Sequence, residues 1–157
     1  MLLGQIAKAL PQARILHIRR DAVDTCFSNL RTLFTREATY SYDQLDVADF
    51  YAEYAGLMAH WKTVLGERVY EVDYHQLVAE PRVTIRSICE RCGITFDPAM
   101  LDVSRAGGSI ATASSSQIRQ GIVSDRGGAW RAFKTQLGSI LERLAGYGLT
   151  PPQEAST

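Results

Sequence analysis

The residues with the greatest chemical capacity gather at one turn of the chain. Arg19 and Arg20 close a short β-prone run, Asp21 and Asp24 follow, and Ser28 stands eight positions after Arg20. In parallel α/β sheets, ligands bind beyond the carboxyl ends of the strands, where the next helix offers free N–H groups to anions. With a helix starting near Ala22, Asp24, Ser28 and Arg31 form a polar stripe beside an apolar one. A guanidinium fork with a hydroxyl on the following helix is a cradle for a phosphate or sulfate. The plainer alternative pairs Arg19 or Arg20 with a neighbouring Asp and leaves Ser28 facing water. A second stretch points the same way. Between Val103 and Thr135 lie Arg105, Arg119, Arg126, Arg131 and Lys134 against one acid, Asp125, in a Ser/Gly-rich context. That excess suits an anion-binding loop, or equally a solvated surface loop.

Other reactive side chains read more simply. Cys89 and Cys92 are spaced as C-x-x-C, but late in a predicted helix, and zinc needs a second pair that the sequence does not supply. Buried thiols are the expectation, with no metal. His17 alternates within a strand and is expected to pack. His60 precedes Trp61 on a long helix, and His75 follows Tyr74 where spacing names no residue to make it a base.

The elements that must position these residues follow from periodicity. Met1 to Leu10 predicts a helix stopped by Pro11, and Arg14 to Ile18 a strand. Asp21 and Asp24 at capping-box spacing start the next helix, with Val23, Phe27, Leu30 and Phe34 as its apolar stripe. Glu37 to Leu45 reads as a loop. Asp46 then caps a long helix with the stripe Val47, Phe50, Tyr51, Tyr54, Leu57, Met58, Trp61 and Leu65, ended by Gly66. The Tyr/Trp part of that stripe is most simply core. Arg68 to Tyr74 predicts a second strand. Pro81 opens a helix that runs through Cys92 to Gly93. Val103 to Gly128 is a long loop, Trp130 to Leu144 a last helix, and Pro151 to Thr157 a polar tail expected to be disordered. Strand, helices, strand, helix is the order of an α/β fold with a parallel sheet, yet two strands are too few to complete one.

Composition sets the outer bounds. At 157 residues, 46% hydrophobic and 22% charged, the chain is ordinary globular protein. No apolar run is long enough to span a bilayer, no leader opens the sequence, and three cysteines fit a reducing compartment, so a cytoplasmic location is expected. The 17 bases balance 17 acids, which removes the simple case for a nucleic-acid partner. Fourteen of those bases are Arg, and five acids with no Lys or Arg fall between Glu37 and Trp61, so the neutrality conceals segregation.

The run Pro11-Gln-Ala-Arg-Ile-Leu-His-Ile-Arg-Arg-Asp-Ala-Val-Asp-Thr-Cys-Phe-Ser28 resembles the 3′-phosphate-binding segment of sulfotransferases. It is most like that of the bacterial tetratricopeptide-linked members, relatives of the tyrosylprotein sulfotransferases. Agreement continues in Tyr54 to Trp61, in Val72 to Val78 with Glu80-Pro81, and in Thr112 to Arg119 leading into Gly128-Ala-Trp-Arg131. The resemblance implies that Arg20 and Ser28 grip the 3′-phosphate of 3′-phosphoadenosine-5′-phosphosulfate (PAPS). It implies further that Tyr74, Ser114, Gln117, Arg119, Arg126 and Trp130 lie along the nucleotide. Ala22 replaces the family's usual Pro, and Ser124 its usual base, with Arg126 displaced by two.

One family motif has no counterpart. The Gly/Pro-Arg-Ser-Gly-Thr loop that binds the 5′-phosphosulfate is absent, and none of the 12 glycines sits in that pattern. By resemblance, then, residues 1–150 are the C-terminal portion of a catalytic domain with a P-loop-like parallel sheet, incomplete at its N-terminal strand. The family's reaction moves a sulfuryl group from PAPS to a hydroxyl such as a tyrosine phenol, without a metal, and the general base belongs to the missing portion. No appreciable turnover is expected from this chain alone. The alternatives are a non-catalytic module that binds adenosine 3′,5′-bisphosphate, and half of a split or swapped assembly, including a homo-oligomer.

Overall fold

A computed structural model describes residues 2–34, 38–102 and 127–149. The fold is mixed α/β. Its elements are α1 (Leu3–Ala9), β1 (Ile15–Arg19), α2 (Ala22–Arg31), α3 (Gln44–Leu65), β2 (Val69–Asp73), α4 (Tyr74–Ala79), α5 (Pro81–Cys92) and α6 (Gly138–Gly146). Short 3₁₀ turns lie at Thr39–Tyr42, Gly66–Arg68, Pro98–Leu101 and Ala129–Phe133. The expected loop 103–126 and tail 151–157 lie outside the described residues. Among the described residues, no helix is long and apolar enough to cross a membrane. The chain forms two units, residues 1–19 with 61–126 and residues 20–60 with 127–157.

The first unit holds the sheet. β1 and β2 pair in parallel, with Ile15 beside Val69, His17 beside Glu71 and Arg19 beside Asp73. β-branched residues favour both strands, and Val69 and Val72 are buried. Leu16 and Ile18 are 43% and 54% exposed, in a sheet that has two strands among the described residues. The base of the unit is fixed by Arg68, whose Nη2 donates to the carbonyls of Ala7 and Leu10 at 3.2 and 3.0 Å. Ala7 lies in the last turn of α1, whose carbonyls lack partners within the helix, and the Leu10 carbonyl also accepts from the Ala13 amide at 3.0 Å. Gly4 admits the Trp61 indole, since a Cβ there would stand 2.5 Å from the ring. Tyr70 and Ser87 share a hydrogen bond of 2.9 Å between β2 and α5. The buried Cys89 lies 3.7 Å from the Met100 sulfur, and Cys92 is half-buried, so the C-x-x-C pair is two free thiols packed beside a helix end.

Glu71 is the electrostatic centre of this unit. Arg19 Nε lies 2.9 Å from one of its oxygens, Lys62 Nζ 3.3 Å and His17 Nδ1 4.0 Å from the other. Burial, the largest cause, holds the His17 imidazole below its ordinary pKa; Glu71 opposes the shift, while Arg19 and Lys62 reinforce it. The folded state therefore resists a proton that the unfolded chain accepts, so stability is full above the ordinary value and falls as pH drops below it. His17→Gln should lose this sensitivity. Its melting temperature, relative to wild type, should rise as pH is lowered from about 7.5 to 5.5. Parallel pH profiles for the two proteins would contradict this.

The second unit is built on α2, the first four turns of α3, and α6. Val23, Cys26 and Phe27 meet Val47, Ala48 and Tyr51, and Trp130, Leu137, Ile140 and Leu144 close the core. Burial pushes the Cys26 thiol up to about 12, so it behaves as an apolar filler. Asp49 receives Arg143 Nε and Nη2 at 2.6 and 2.8 Å and the Tyr147 hydroxyl at 2.9 Å, joining α3 to the end of α6. The Arg143 hydrogen bonds hold the Asp49 carboxyl below the usual carboxylate range.

Several sequence-based expectations need correction. α2 ends at Arg31, so Phe34 leaves the stripe, and its carbonyl instead accepts from the Tyr42 hydroxyl. α3 starts three residues early, because Asp43 and not Asp46 is the cap: Asp43 Oδ1 accepts from the Leu45 and Asp46 amides at 2.7 and 3.1 Å. Tyr74 opens α4 where a strand end was expected, since Asp73 caps that helix through the Gln76 amide at 3.0 Å. The expected single helix 130–144 is broken by a turn ahead of Gly138, a poor helix former.

Candidate functional site

Arg20 directly follows β1 in the chain and precedes Asp21, the N-cap of α2. The cap is as the spacing predicts: Asp21 Oδ1 accepts from the Asp24 amide at 3.0 Å. The reciprocal half of the box is replaced by something else. Asp24 is only 4% exposed, and its Oδ1 accepts from the Gly128 amide, 104 residues later, at 2.8 Å. The same oxygen lies 3.8 Å from Arg20 Nη2, one helical turn away. Arg20 is gripped a second time through its backbone, where its carbonyl accepts from the Tyr51 hydroxyl at 3.0 Å. Its side chain keeps 25% of its surface exposed, enough to meet a ligand from solvent.

Ser28 follows on α2 at the next i+4 position and is exposed. Arg20, Asp24 and Ser28 thus recur every four residues, and the middle one alone is buried. Of the polar stripe expected over Asp24, Ser28 and Arg31, Ser28 and Arg31 are exposed and Asp24 is turned inward. Trp130 is 6% exposed and belongs to the core of this unit, with the Arg131 guanidinium 5.2 Å above its ring. Gly128 takes φ +80°, and a Cβ on it would run into the Arg131 guanidinium. Tyr74 opens α4 in the other unit, half-buried and edge-on to His75 at 5.9 Å. Ser114, Gln117, Arg119 and Arg126 lie outside the described residues. Among the described residues, no group of three or more His, Cys, Asp or Glu is placed to hold a metal ion.

Two contributors escaped the sequence. Tyr51 reads as core in a stripe of aromatics, and its hydroxyl carries no pattern that names Arg20 as partner. The Asp24–Gly128 bond spans too much chain for spacing to show it.

A family model described as the sulfotransferase family matches residues 1–98, well over half of the chain. The chain belongs to the sulfotransferase family. An uncharacterized protein of Aquifex aeolicus (strain VF5) is 26% identical over 144 residues, covering 90% of this chain and 19% of that protein. The sulfotransferase chain thus spans about a fifth of the length of the curated relative it matches. Arg20, Asp24, Ser28 and Tyr74 fall inside the stretch matched by the family model, whereas Gly128 and Trp130 lie beyond it. In this sulfotransferase chain the Asp24–Gly128 bond therefore ties the matched region to a segment outside it.

Proposed function

We propose that this chain is the 3′-phosphate-binding portion of a PAPS-dependent sulfotransferase of the bacterial tetratricopeptide-linked type, with residues 1–150 as the C-terminal part of the catalytic domain. One observation carries the reading. Within the family-matched stretch, Arg20 stands at the start of α2 with its backbone held by Tyr51, its guanidinium beside Asp24 and a quarter of its surface open, and Ser28 follows on the same helix. An exposed hydroxyl and a preset guanidinium are what a phosphate dianion asks for.

In the reaction a general base takes the proton of an acceptor hydroxyl, such as a phenol. The oxygen bonds to sulfur as the bond between sulfur and the 5′-phosphate oxygen breaks, and adenosine 3′,5′-bisphosphate leaves. Arg20 and Ser28 fix the register of the donor; they take no proton and form no bond. Positioning and charge stabilisation supply most of such a rate, as in phosphoryl transfer. Tyr74, Ser114, Gln117, Arg119 and Arg126 enter this reading by resemblance. Calorimetry with adenosine 3′,5′-bisphosphate and with adenosine 5′-monophosphate tests it. The bisphosphate should bind at least about tenfold more tightly, the factor one charge-assisted hydrogen bond supplies. Equal affinities would remove the 3′-phosphate assignment.

A second reading, half of a larger assembly, is favoured by the two-stranded sheet with Leu16 and Ile18 open to solvent. Light scattering on the purified chain should then give a mass above 17.4 kDa, and a well-folded monomer speaks against it.

A further inference from the structure

Asp24 is a buried acid with a geometry that core packing does not require. Its neighbours on α2, Val23, Cys26 and Phe27, are apolar and nearly or fully buried, and an apolar side chain would serve the packing as well. A carboxylate is kept at such a depth only where it is paired. Its 2.8 Å bond to the Gly128 amide is charge-assisted and well formed, whereas the 3.8 Å approach to Arg20 Nη2 is electrostatic and too long for a hydrogen bond. The Arg131 guanidinium lies close against Gly128, in the space a Cβ would need. One oxygen of one acid therefore faces the guanidinium assigned to the ligand and the backbone of a segment that carries Trp130 and Arg131.

We infer that Asp24 is a positioning residue: it ties the Arg20 guanidinium and the Gly128–Phe133 segment to the same turn of α2, so that both are oriented before an anion arrives. The inference rests on the assignment of Arg20 to the 3′-phosphate. Preorganisation of this kind raises affinity by removing the ordering that binding would otherwise require.

Charge alone makes the opposite forecast. A negative group beside Arg20 repels an incoming phosphate, so an Asp24 that acted only through its field would weaken binding, and any neutral substitute would tighten it. Positioning predicts instead that Asp24→Ala weakens binding of adenosine 3′,5′-bisphosphate by about tenfold or more. Asp24→Asn keeps an oxygen for the Gly128 amide but not the charge that faces Arg20, and should fall between wild type and Asp24→Ala. Hydrogen exchange reads the tie without ligand. The Gly128 amide should exchange about tenfold faster in Asp24→Ala and regain most of its protection in Asp24→Asn.

Calorimetry on the full chain, well below the melting temperature of each variant, together with exchange at Gly128, decides the matter. Binding unchanged or tightened in Asp24→Ala overturns the inference, as does Asp24→Asn behaving like Asp24→Ala. A wild-type chain that binds no bisphosphate removes the donor-site assignment and this role together. Wild-type binding that Arg20→Ala abolishes and Asp24→Ala spares removes this role alone.

Discussion

Arg20→Ala should lower affinity for adenosine 3′,5′-bisphosphate by roughly ten- to a hundredfold, while the protein still melts cooperatively within a few degrees of wild type. The affinity loss follows from one charge-assisted hydrogen bond, which contributes about 1.5–3 kcal/mol. The stability loss is small because the bonds that hold this turn do not depend on the Arg20 guanidinium. Asp24 keeps the Gly128 amide when Arg20 is shortened, so the buried carboxylate is not orphaned. The Tyr51 hydroxyl binds a backbone carbonyl at position 20, and that bond survives any substitution there. Arg20→Lys should recover most of the stability but only part of the affinity, because an ammonium cannot present two parallel donors. Calorimetry and thermal melts on the three proteins separate these effects. Unchanged affinity in Arg20→Ala would place the anion elsewhere.

Trp130→Ala should damage the fold far more than either Arg20 substitution. The indole is 6% exposed among Val23, Cys26, Phe27, Tyr51, Ile140 and Leu144. Replacing a buried aromatic by Ala costs about 3–5 kcal/mol, a large share of the ~5–15 kcal/mol by which a domain is stable. With a urea slope of about 1–3 kcal/mol per molar, the unfolding midpoint should fall by roughly 1–5 M. Trp130→Phe keeps much of the volume and should lose less than half as much. The resemblance puts this Trp beside the nucleotide, yet its side chain lies in the core, so any effect on binding is expected to pass through stability. A Trp130→Ala protein with a wild-type midpoint and a specific loss of affinity would reverse that assignment.

What the sequence could show was local. The end of β1, the Asp21 cap and the start of α2 were readable because each depends on residues within one turn, and they place Arg20 and Ser28. α4 was hidden because Val69 to Tyr74 continues a β-like composition up to its first residue. Asp73 and Gln76 stand at capping-box spacing, and that signal could have found it. The break ahead of Gly138 was masked by an apolar stripe that stays in phase across it, as Trp130, Leu137, Ile140 and Leu144 all reach one core. The bonds that hold the candidate site, Tyr51 to Arg20 and Asp24 to Gly128, join residues 31 and 104 positions apart. Spacing within a helix or strand carries no information at such separations. They become visible only once the core has brought the partners together.

The cluster around Glu71 has a consequence for how separate copies of the chain meet one another. β1 alternates Leu16 and Ile18 with His17 and Arg19, and among the described residues it pairs with β2 alone. A short apolar strand with an open edge is a template for chain-to-chain sheet growth. Arg19, Lys62 and Glu71 set charges of both signs along that pair, so a second copy sliding alongside would meet an ordered charge pattern where growth needs a featureless one. These ion pairs contribute little to the folded state at the surface. Charges so placed oppose edge-to-edge pairing of separate chains along β1.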